Sequence, residues 1–78
     1  KMNITVKDFI DWLRMDTANT GSMIRFEASN IPCLKSPSIY FKDIDDNMTI
    51  ELENAYVHYF HVEYNEDYRI FTFVIYIL

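Results

Sequence analysis

Apolar positions along this chain recur with two different spacings, and the spacing separates helix from sheet. Val6, Phe9, Ile10 and Leu13 fall at i, i+3, i+4 and i+7, one stripe of an amphipathic helix, with Trp12 at its edge. Thr5 is a good N-cap. Asp8, three residues on, gives a capping-box-like pattern and places negative charge near the positive end of the helix dipole. Asn19-Thr20-Gly21 supplies residues that tolerate a left-handed C-terminal cap, so the pattern predicts a helix over 5–17. Lys7, Asp11 and Arg14 share another side of it, where i,i+4 and i,i+3 ion pairs add little.

After Gly21 the period falls to two. Ile24, Phe26 and Ala28 alternate with Met23, Arg25 and Glu27, which predicts a half-buried strand over 22–28. Residues 29–37 hold Pro32 and Pro37 and read as a loop, because proline cannot donate to a sheet ladder. A short strand over 38–42 presents Ile39 and Phe41 on one face, and the Asp- and Asn-rich stretch 43–47 reads as a turn. Residues 48–53 alternate again, with Met48, Ile50 and Leu52 facing in and Thr49, Glu51 and Glu53 facing out. This predicts a further strand, with a break or bulge near Asn54. Leu52, Ala55, Tyr56, Tyr59 and Phe60 also fit a helical spacing. The crowding of Tyr, Val, His and Phe, and the scarcity of good helix formers, favours strand.

Residues 55–78 form two runs rich in aromatic and β-branched side chains around a polar break, the pattern of a β-hairpin. A two- or four-residue loop pairs Phe60 with Phe73 and Val62 with Phe71. One face then holds Tyr56, Phe60, Val62, Phe71, Phe73, Ile75 and Ile77. A three-residue loop, Asn65-Glu66-Asp67, slips the register by one and moves His61 inside and His58 outside. The first register separates apolar from polar better. It leaves Tyr59, Ile70, Val74 and Tyr76 as a tyrosine-rich apolar patch on the second face, and either this face or the strand edge of the hairpin is a candidate surface for a homodimer or larger self-assembly. The expected fold is α+β: one N-terminal helix packed on a four- or five-stranded antiparallel sheet, in a single domain over 2–78. Met2 reads as the native start and Lys1 as an expression remnant.

Composition narrows the picture. A chain of 78 residues has a small core, and its 17% aromatic content offsets that by burying large rings. Cys33 is the one cysteine, so no intrachain disulfide or Cys-based zinc site can form. A lone thiol suits a reducing cytoplasm and reads as a small buried apolar residue. The longest apolar run, 71–78, falls far short of the ~20 residues of a membrane helix.

Charge is the most informative bulk feature. The net charge is −5, and residues 43–67 hold eight acids and no lysine or arginine. These are Asp43, Asp45, Asp46, Glu51, Glu53, Glu63, Glu66 and Asp67. Read on strands and turns, they predict a rigid negative surface that repels nucleic acid and suits a protein with a basic nucleic-acid-binding groove. The plainer reading is an acidic solvated face that keeps an aromatic-rich sheet soluble.

Motifs for other chemistry are weak. His58 and His61 lie three apart, so on a strand they face opposite sides and share no ion. Asp43, Asp45 and Asp46 lack the glycine and glutamate that a calcium loop needs at its sixth and twelfth positions. No nucleophile, base and orienting group share a catalytic spacing. Neither metal, cofactor nor enzymatic activity is expected.

The opening ITVKDFIDWLRMD followed by SMIRFEA, in a short acidic chain rich in Asn, Ile and Tyr, resembles the small inhibitors that phages and other mobile elements encode against host defence, anti-CRISPR proteins above all. The resemblance lies in overall pattern and carries no functional residue across. It implies a non-enzymatic inhibitor of a nucleoprotein effector in a bacterial cytoplasm. Such a protein blocks the effector's DNA- or guide-binding surface, or holds it inactive.

Overall fold

The computed structural model describes residues 3–28 and 36–77. Of the loop expected over 29–37, residues 29–35, with Cys33 and Pro32, lie outside them.

Helix α1 spans Val6–Arg14 and starts where predicted, with the Thr5 Oγ1 accepting the Asp8 N–H at 3.2 Å. It ends sooner than the expected helix over 5–17. Asp16 turns the chain into a separate 3-10 helix, Thr17–Gly21, by accepting the Ala18 N–H, and Asn19 Nδ2 donates to the Leu13 carbonyl at 2.8 Å. Side-chain bonds of this kind offer the backbone an alternative to further helix. Val6, Phe9, Ile10 and Leu13 are all buried.

Strand β1, Met23–Ala28, follows with Ile24 and Phe26 buried, and β2 is only Ile39–Tyr40. The chain then leaves the sheet through two 3-10 turns, Phe41–Asp43 and Asp45–Asn47, which send Phe41 and Ile44 into the core. A short helix α2, Ile50–Asn54, leads to β3, Val57–Asn65, and β4, Ile70–Ile77. The strand order is β2-β1-β4-β3, with β1 parallel to β4 and both outer pairs antiparallel. The molecule is thus α+β with a four-stranded sheet, mixed rather than wholly antiparallel. The crossover from β2 over the core to the far edge brings the hairpin back with β4 beside β1.

Helix α2 replaces the strand expected over 48–53. The Thr49 Oγ1 accepts the Leu52 N–H at 3.1 Å, Glu51 and Glu53 sit in the first turn, and Asn54 Nδ2 donates to the Ile50 carbonyl. The cap and the favourable dipole charges outweigh the alternation. Met48 and Leu52 still pack on the core, while Ile50 is 74% exposed.

The hairpin register also differs. Phe60 pairs with Ile75, Val62 with Phe73, and Tyr64 with Phe71, two residues along from the expected pairing. The shift is even, so the faces keep their parity. The turn is the four residues 66–69, with Arg69 in the left-handed region at φ 54° and the Asn65 side chain accepting the Tyr68 N–H. An irregularity between Val57 and Tyr59 inverts the alternation at the start of β3, burying Val57 and leaving Tyr56 exposed.

Candidate interaction surface

Three parts of the sheet are candidates, and the register defines each. On the helix-bearing face, Ile24 lies beside Phe73, and Phe26 beside Ile75 and then Phe60. Phe9 of α1 packs on Phe60 at 4.9 Å between ring centroids, and Phe41 meets Phe73 edge-on at 5.9 Å. A helix of nine residues runs about 13 Å. Strand β3, also nine residues, runs about 30 Å. Helix α1 therefore leaves the turn end of the hairpin uncovered. Val62, Tyr64 and Phe71 are each about half exposed there, with the Tyr64 and Phe71 rings 4.7 Å apart. Two of these, Val62 and Phe71, were expected in the core.

The helix-free face carries a charged network. Arg25 on β1 reaches over β4 to Glu63 on β3 with both forks, Nη1 to Oε1 at 3.2 Å and Nη2 to Oε2 at 3.1 Å, and also meets Glu27 at 3.3 Å. His61 Nε2 lies 3.0 Å from Glu63 Oε2. Beneath them Val74 is fully buried, flanked in register by Arg25 and His61. This corrects the expectation that Val74 joins a surface patch. Strand β4 is central, so a side chain on its outer face is covered by neighbours on both sides. Of the rest of that patch, Tyr59 stacks on Tyr76 at 4.3 Å, and Tyr59 is exposed while Tyr76 and Ile70 are half-buried. A groove of about 400 Å³ opens alongside, with Met23, Ile70 and Thr72 among its lining and Tyr40, Tyr68 and Glu63 around them.

The bidentate contact with Arg25, followed by that of His61, holds the Glu63 carboxyl below the ordinary glutamate value of 4.5. A lowered carboxylate contributes stability above its unfolded value and loses it as pH falls through the folded one. The stability difference between wild type and Glu63→Gln, present at neutral pH, is therefore expected to close as pH falls below 4.5. Thermal melts of both proteins across that range measure it. In Tyr76, burial first and then Glu27 raise the phenol above its ordinary value.

The third part is the outer edge. Among the described residues, β4 is the only strand paired with β3, on one side of it. Its first end is occupied: the Val57 N–H donates to the Ile4 carbonyl at 2.9 Å, and Thr5 bridges Tyr56. Beyond the irregularity, the seven residues Tyr59–Asn65 run regularly to the turn. They include no proline, lysine or arginine, and Glu63 is their one carboxylate. Proteins usually blunt such an edge with these residues, with bulges or with short strands. The opposite edge, β2, is protected by being two residues long.

No family model, curated protein or solved structure matches this chain. The functional reading rests on its own geometry.

That geometry does not gather the acidic residues on one β surface. Asp43, Asp45 and Asp46 lie on the 3-10 turns, and Asp45 accepts from Arg14 Nη2 at 3.0 Å. Glu51 and Glu53 lie on α2, on the helix-bearing side. Glu63 points from the opposite face of the sheet, bound to Arg25, and Glu66 and Asp67 occupy the hairpin turn. Among the described residues, no three His, Cys, Asp or Glu side chains are grouped to hold a metal ion, and no helix is long and apolar enough to cross a membrane.

Proposed function

We propose that this protein is a non-enzymatic, self-associating interaction module whose binding element is the free part of β3, Tyr59–Asn65. The observation that supports it is an unblunted seven-residue edge with half-exposed aromatic side chains of the same hairpin around it. An edge strand offers a row of unpaired N–H and C=O groups, and a second strand satisfies them. Hydrogen exchange provides the test. The outward-facing amides within 59–65 are expected to gain protection as protein concentration rises and to lose it on dilution. Exchange in that segment independent of concentration would overturn the proposal.

A second reading keeps the charge in view: an inhibitor, anti-CRISPR-like in style, that occupies the basic groove of a nucleic-acid-handling protein in a bacterial cytoplasm. What favours it is the run of eight acids without lysine or arginine in 43–67. With the carboxylates divided among the two faces and the hairpin turn, its strongest form uses Asp43, Asp46, Glu51 and Glu53, on the turns and α2. Reversing these four charges is expected to abolish salt-sensitive capture of a basic protein from host lysate. Capture that survives the reversal removes this reading.

A further inference from the structure

The self-association reading leaves open how two copies of β3 would align, and the strand itself narrows the choice. We propose that two copies pair antiparallel about a two-fold axis at Val62, joining two four-stranded sheets into one of eight. This rests on the self-association reading and adds its register.

Opposed residues in an antiparallel pair project from the same face of the sheet. A two-fold axis through such a pair keeps each residue on its own face. The pairing must therefore join residues of the same parity, and the axis must pass through a residue rather than between two. Five such axes fall near the middle of the free edge, at Phe60, His61, Val62, Glu63 and Tyr64.

Length favours Val62. The regular edge runs from Tyr59, past the irregularity, to Asn65, where the turn begins. Val62 is its midpoint, so that axis alone pairs the whole segment with its copy. Each step away shortens the ladder at both ends.

Side-chain chemistry gives the same answer. With the axis at Val62, Phe60 faces Tyr64 of the second copy and Val62 faces itself, all on the helix-bearing side, where Val62 and Tyr64 lie beyond the reach of α1. On the helix-free side His61 faces Glu63 of the second copy, twice by symmetry. Aromatic pairs and complementary polar pairs directly opposite one another stabilise a sheet, and like charges oppose it. Glu63 already binds Arg25 and His61 within its own chain, and a carboxylate has lone-pair sites for a further donor. An axis at Glu63 sets two carboxylates against each other. An axis at His61 stacks imidazole on imidazole and places Glu63 against Tyr59.

Single cysteines introduced into a Cys33→Ser background test the alignment. At the axis, opposed Cβ atoms lie roughly 4.5–5.5 Å apart, within reach of a disulfide after slight adjustment. One residue away, the two copies of a position are offset by two residues along the strands, about 8 Å between Cα atoms, which is too far. Mild oxidation is therefore expected to convert Val62→Cys to a covalent dimer and to leave His61→Cys and Tyr64→Cys monomeric on denaturing gels. Light scattering on the unoxidised proteins separates the two claims. A dimer that crosslinks at another position, or at none, overturns the register and leaves edge pairing standing. A monomer at all concentrations overturns both.

Discussion

Val62→Lys is expected to weaken self-association by roughly thirtyfold or more, the ~2 kcal/mol characteristic of a central interface position. The side chain is 45% exposed in the single chain, so its replacement leaves no cavity. Surface changes of this kind alter folding stability by only about 0.5 kcal/mol. In the assembly, however, two lysines would face each other at the axis, where desolvation and repulsion act together, and lysine on an edge is how many sheets avoid unwanted pairing. Sedimentation of the variant against wild type measures the loss, and equal melting temperatures at dilutions where both proteins are monomeric show that the fold survives. Equal sedimentation of the two proteins would remove β3 as the contact.

The second large effect concerns the core. Ile75 is fully buried in the central strand, between Phe26 on one side and Phe60 on the other. Ile75→Ala removes three carbons from a site hemmed in by neighbouring strands and the helix layer, where little collapse is open to it. A cost of about 2–5 kcal/mol follows. Small domains have only about 5–15 kcal/mol in total, so the variant is expected to sit near the edge of folding. Urea denaturation should show a lower midpoint with little change in slope. Ile50→Ala is the contrast. Ile50 is 74% exposed on α2, so its truncation is expected to change stability by less than about 0.5 kcal/mol. A large loss at Ile50 would instead favour the inward-facing strand that the alternation over 48–53 suggested.

That pair of residues marks how far the sequence could be read. The helix and its buried stripe were legible because the Thr5 cap and the i, i+3, i+4 spacing agree. Strand β1 was legible because Ile24 and Phe26 alternate cleanly with Arg25 and Glu27. Segment 48–53 misled because one stretch carries two signals. Met48, Ile50 and Leu52 alternate, and Thr49 also caps a helix with acids in its first turn. Five residues are too few for periodicity to decide, and the cap was the better guide. The hairpin register was hidden for a different reason. Its turn places Arg69, not glycine or asparagine, in the left-handed region, so no residue announced the turn's end. Beyond the hairpin, strand neighbours were hidden, because pairing β1 parallel to β4 is a long-range choice. That choice decides that Val74 is covered and that β3 lies outside.

The candidate surface was legible only in part. Tyr59 and Tyr76 were read as neighbours on one face, and they stack. The acidic residues were read as one array because they are close in sequence. A helix, three turns and a strand divide them in space. The Arg25–Glu63 bridge joins residues 38 apart, and nothing local foretells it.

Net charge bears on how the central claim is best measured. At −5 per chain, two copies repel each other at low ionic strength, and at ~0.1 M salt the screening length is only about 10 Å. Multi-angle light scattering near physiological salt, followed from micromolar to millimolar protein, is the most direct test. Pairing through β3 predicts that the weight-average mass climbs from 9.4 kDa toward twice that value and levels off there. A mass that stays at 9.4 kDa throughout would contradict it.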